Sequence, residues 1–84
     1  MKLEELRTRI DEIDKDLLRL LELRFQVVKE IGLFKKEHNL PVLDKAREVD
    51  VLKMRQAQLT NKDNWPHFEA IFQLIMKVSK DLEA

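Results

Sequence analysis

The chain has 84 residues, 44% hydrophobic and 38% charged, which suits one small globular domain over residues 1–84 and excludes a disordered tail or a two-domain protein. Sixteen Lys and Arg balance sixteen Asp and Glu, so the basic excess that phosphate-backbone binding requires is missing and nucleic acid is not an expected partner. There is no cysteine, which removes disulfides and thiol chemistry and fits a reducing, cytoplasmic setting, and no run approaches the roughly 18 uncharged residues of a membrane span.

One Gly and two Pro leave little material for turns, and the apolar residues follow helical spacing, so an all-α fold is expected. Leu3, Leu6, Ile10, Ile13, Leu17, Leu20, Arg24, Val27, Ile31 and Phe34 step by three and four residues. This coiled-coil-like seam predicts one helix from about residue 3 to about residue 38, stopped by Asn39-Leu40-Pro41. Such a helix is a rod of roughly 54 Å, whereas a compact globule of this length has a radius of gyration near 12 Å, so the rod overshoots its own domain. Leu18, Leu21, Phe25 and Val28 form a second stripe beside the seam, too wide for a simple two-stranded contact. The rest of the chain is expected to cover part of this face and another chain the remainder.

Asp44 can cap a second helix ending near Leu59, with Val49, Leu52 and Leu59 on its inner side. Thr60 to Asn64 reads as a polar loop, and Pro66 pre-sets the first turn of a third helix with Phe68, Ile71, Phe72, Ile75, Val78 and Leu82 on its apolar face. No internal repeat or linker is present.

Several charged residues sit on or beside these apolar faces. Arg24 interrupts the seam, where an unpaired buried guanidinium costs several kcal/mol, so it needs an anion: a carboxylate of a partner helix that sets register, or a ligand. Lys35 lies eleven residues on, within about 20° in azimuth and about 16 Å along the axis, so both side chains can enter one groove; alone, Lys35 also reads as a solvated helix-end lysine. Asp44, Arg47 and Glu48 share one face of the second helix, as a cap with a surface ion pair or as part of a site. Ser79 and Glu83 are likewise i and i+4 on the third helix, open to a helix-end reading. Arg7 is about 25 Å from Arg24 along the rod and could meet it only across an antiparallel partner. His38 and His67 read as surface residues.

The ordered series Leu6-Arg7-x-x-Ile10-x-x-x-Asp14-x-x-Leu17-Leu18-x-Leu20-Leu21-x-x-Arg24, then Val28-x-x-Ile31-Gly32-x-x-Lys35, Pro41-Val42-x-Asp44-x-x-Arg47-Glu48 and Ile71-Phe72-Gln73-Leu74-Ile75 with Ser79, resembles the all-helical chorismate mutases over nearly the whole chain. The resemblance implies an intertwined homodimer of three-helix subunits with a very long first helix, each of two shared active sites being completed by an arginine of the other subunit. It implies the pericyclic conversion of chorismate to prephenate, with no nucleophile, metal or cofactor required. Arg24, Arg47 and the other subunit's copy of Arg7 would hold the substrate carboxylates, and Lys35 would donate to the ether oxygen. Glu48 would accept from the ring hydroxyl with Asp44 beside it, and Ser79 would hold the ring side.

That division of labour is physically coherent. A dianion needs several cations, and the guanidinium fork suits carboxylates. A fixed ammonium at the ether oxygen is worth more as the C–O bond lengthens and negative charge gathers there. The last active-site position, usually Gln in bacterial members and Glu in the fungal branch, is Glu83. An ionised carboxylate there would repel the developing oxyanion, so Glu83 is expected either to be protonated and donate or to point away, at a chain end where fraying is expected. Two other readings stay open: the related isochorismate pyruvate lyase, and a non-catalytic helical dimerisation or regulatory module, which the Glu83 departure favours.

Overall fold

The long first helix has a signal at each end. In the computed structural model, which describes residues 2–84, α1 spans Leu3–Glu37. The Glu5 carboxylate accepts from the Lys2 backbone N–H at 3.4 Å, and Glu4 and Glu5 in the first turn oppose Lys35 and Lys36 in the last, complementing the helix dipole. The helix ends where Asn39 takes a left-handed φ of 54°, which a short amide side chain tolerates, and the Leu40 N–H closes back on the Lys35 carbonyl at 2.8 Å.

Helix α2 (Lys45–Gln58) begins at Asp44, whose side chain accepts from the Arg47 backbone N–H at 2.9 Å. Its last carbonyls, at Gln56 and Ala57, accept from the Lys62 ammonium at 2.7 and 2.8 Å. The expected polar loop is partly ordered as a 3-10 turn, Lys62–Asn64, because the Asn61 side chain accepts from the Asp63 N–H at 3.0 Å. Helix α3 (Trp65–Glu83) starts one residue ahead of Pro66, with the Trp65 indole donating to the Glu69 carboxylate at 3.0 Å. Among the described residues there is no strand, and no helix is long and apolar enough to cross a membrane.

The molecule measures 55 × 25 × 16 Å with a radius of gyration of 16.0 Å, well above the roughly 12 Å of a compact chain this long. Helix α3 lies against the C-terminal half of α1, and α2 packs on α3. Leu21, Phe25 and Val28 of the second stripe are covered, but Leu18 is 60% exposed, because every residue of α1 before Leu21 lies beyond that cover. Among the described residues the only buried apolar side chains are Val28 and Val51. Val51, not Val49, is the inward residue of α2: the two differ by about 200° in azimuth, and Val51 continues the face that carries Asp44 and Glu48. On α3, Phe68, Phe72, Ile75, Val78 and Leu82 are half-buried while Ile71 faces outward. The apolar seam residues of α1, from Leu3 through Ile10, Leu17 and Val27 to Phe34, are all exposed in the single chain, and Arg24 alone among the seam positions is half-buried.

Candidate active site

The place where α1, α2 and α3 meet is a cavity of about 240 Å³ whose walls carry all but Arg7 of the charged residues singled out by the helical spacing. Arg24 and Lys35 enter from α1, Asp44, Arg47 and Glu48 from the start of α2, and Ser79 and Glu83 from the end of α3. The Arg24 guanidinium donates to the Ser79 hydroxyl, which donates in turn to the Ile75 carbonyl at 2.7 Å. That chain fixes the arginine against α3 without neutralising it, since no carboxylate pairs with it among the described residues. Its pKa is held below the usual arginine value chiefly by burial, then by the charges of Arg55 and Arg47, with Glu83 opposing.

Lys35 sits in the last turn of α1, where the chain turns back over it. Its ammonium donates to the Val42 carbonyl at 2.9 Å and to Glu83 Oε1 at 2.6 Å, and both side chains of that ion pair are largely shielded from solvent. Glu83 therefore points inward, as the last residue of α3. Its backbone lies on Gly32, where a Cβ would stand 2.7 Å from the Glu83 carbonyl oxygen, so only glycine allows the two helices to approach this closely. Glu48 lies at the cavity wall with its carboxylate 3.0 Å from the Lys80 ammonium. Asp44 is an exposed N-cap at the rim, and Arg7 lies on the exposed N-terminal half of α1, outside the cavity.

Two cations at the site were missed by the sequence reading. Arg55 is seven residues after Glu48 and so within about 20° of it on α2, a signal the spacing carries. Lys80 has no comparable signal, because its contact with Glu48 arises only from the way α2 and α3 pack. Together Arg24, Lys35, Arg47, Arg55 and Lys80 face three acids, Asp44, Glu48 and Glu83, leaving a surplus of two positive charges in a chain that is neutral overall. Such a cavity suits a small dianion, with an ammonium able to meet an oxygen that becomes negative. His38 stacks on Phe34 at the surface and His67 is exposed; no group of three or more His, Asp or Glu among the described residues could hold a metal ion.

The family model described as chorismate mutase type II matches residues 6–84. The T-protein of Haemophilus influenzae is 34% identical over 56 residues, 67% of this chain and 15% of that protein. The bifunctional chorismate mutase/prephenate dehydratase of Aquifex aeolicus is 42% identical over 52 residues, 62% of this chain and 14% of that protein. The chain thus spans about a seventh of the length of these two curated relatives. Among solved structures, a conserved hypothetical protein from Pyrococcus furiosus superposes with a TM-score of 0.81 at 39% identity, covering 98% of this chain and 95% of that one.

Proposed function

Because the chain belongs to the type II chorismate mutase family, we propose that it is a chorismate mutase acting on chorismate in the cytoplasm, in a cavity completed by a second copy of itself. The observation that carries this reading is the half-buried Arg24, paired with no carboxylate, in a cavity with a surplus of two positive charges. A dicarboxylate supplies the missing anions. Arg24 and Arg47 take its carboxylates, with the other subunit's copy of Arg7 closing the site. Holding the enolpyruvyl side chain over the ring supplies orientation. As the ether C–O bond lengthens, Lys35 donates to the oxygen, and the inward Glu83 either keeps the ammonium in place or, as the neutral acid, donates alongside it. Glu48 accepts from the ring hydroxyl, Asp44 orders the start of α2 beside it, and Ser79 holds Arg24.

The second copy is supported by the exposed seam. Ile10, Leu17, Val27 and Phe34 are each more than half exposed in a helix that has almost no core of its own. An apolar stripe of this length needs cover, and an identical helix running antiparallel would both supply it and bring Arg7 toward Arg24. The test is to follow chorismate loss by absorbance and identify the product. The account expects prephenate, and Lys35→Ala to lower kcat by about a hundredfold or more. Pyruvate and salicylate formed from isochorismate, with no prephenate from chorismate, would instead identify a lyase, and no turnover of either would leave a non-catalytic helical module.

A further inference from the structure

The cavity contains one more unneutralised guanidinium than the proposed roles use. Arg55 lines it from α2, on the face that also carries Asp44, Glu48 and Val51. Its guanidinium rests over the ring of Phe72 at 5.7 Å and gives one N–H to the Gln58 side-chain oxygen at 3.2 Å. Both partners are neutral, and no carboxylate among the described residues pairs with it. The ring and the amide hold the group in position while leaving most of its five donors unused. A second arginine charge close to the half-buried Arg24 is unfavourable without an anion to share, and Arg55 acts on Arg24 more strongly than Arg47 does.

We infer that Arg55 is a further substrate-binding residue, which shares one carboxylate of the dianionic substrate with Arg24 from within the same subunit, leaving Arg47 for the other. The inference rests on the mutase reading and deepens it. Arg47 and Arg55 are eight residues apart on α2, about 12 Å along its axis, and two extended guanidinium side chains span that distance to the two ends of a dicarboxylate. Phe72 thereby serves the site indirectly, as the platform that aims Arg55.

The test uses steady-state chorismate turnover by the full chain and its Arg55→Met and Arg55→Lys variants, with thermal unfolding of each. Met keeps an unbranched side chain over Phe72 and removes the guanidinium, both its charge and its N–H donors. Arg55→Met is expected to raise KM for chorismate roughly tenfold with kcat within about threefold, and to weaken the dependence of KM on added NaCl, because one screened attraction is gone. Arg55→Lys should recover part of the loss in KM, since it restores the charge without the fork. A merely structural brace would instead lower the unfolding temperature and leave KM and its salt dependence as in the wild type. If the wild type turns over chorismate and the KM of Arg55→Met stays within twofold of it, Arg55 does not bind substrate. A wild type that does not turn over chorismate overturns the mutase reading and this assignment with it.

Discussion

At the scale of single residues, Glu83 is where the site departs most from simple charge complementarity. A carboxylate held 2.6 Å from the Lys35 ammonium offsets the charge that, in the proposed reaction, meets the breaking ether bond. If a neutral group at this position is what works, it donates a hydrogen bond and leaves the ammonium free for the ether oxygen. Glu83→Gln supplies a neutral donor there, and steady-state turnover is expected to show a severalfold higher kcat/KM than the wild type. An unchanged kcat/KM would reduce Glu83 to a structural partner of Lys35. Much of the site was legible residue by residue: Arg24 stood out as a charge in an apolar seam, and Asp44, Arg47 and Glu48 as one helical face. The inward turn of Glu83 was not, because it depends on Gly32 admitting the α3 backbone, and spacing along one helix carries no information about which helices touch.

At the scale of elements, the contact between Gly32 and Glu83 sets how α1 and α3 cross. A methyl group at position 32 would fall 2.7 and 2.8 Å from the Glu83 carbonyl oxygen and Cα, closer than packed atoms can come, so the end of α3 must shift. Overpacking of this kind costs about 1–3 kcal/mol, against at most about 1 kcal/mol gained from the better helix propensity of Ala. Gly32→Ala is therefore expected to lower stability by about 1 kcal/mol and, by shifting the end of α3 whose Ser79 hydroxyl holds Arg24, to lower kcat/KM by roughly tenfold; thermal unfolding and turnover measured together check this. A variant both more stable and fully active would mean that α3 has no fixed crossing point on α1. The helices themselves were readable from apolar periodicity and caps such as Asp44. Their facing was less so: Val49 and Val51 are both apolar, and only packing on α3 selects Val51.

At the scale of the whole molecule, a chain 55 Å long with two buried apolar residues among the described ones and a long exposed seam supports the proposal that a second copy covers the seam. The seam was plain in the sequence, because its spacing persists across the entire helix and overshoots any core that 84 residues could build. The two-charge surplus was not, because it appears only when three helices bring residues from Arg24 to Glu83 around one cavity. The central claim is that this cavity works only when a second copy brings Arg7 to it. The most direct measurement is turnover by a mixture of two variants, Arg7→Ala and Arg24→Ala, each expected to be nearly inactive by itself. In a heterodimer one of the two sites keeps both arginines, so an equal mixture with random subunit exchange should recover about a quarter of wild-type activity. With exchange verified by native mass spectrometry, a mixture as inactive as its components would contradict the claim and assign Arg7 to its own chain or to no site.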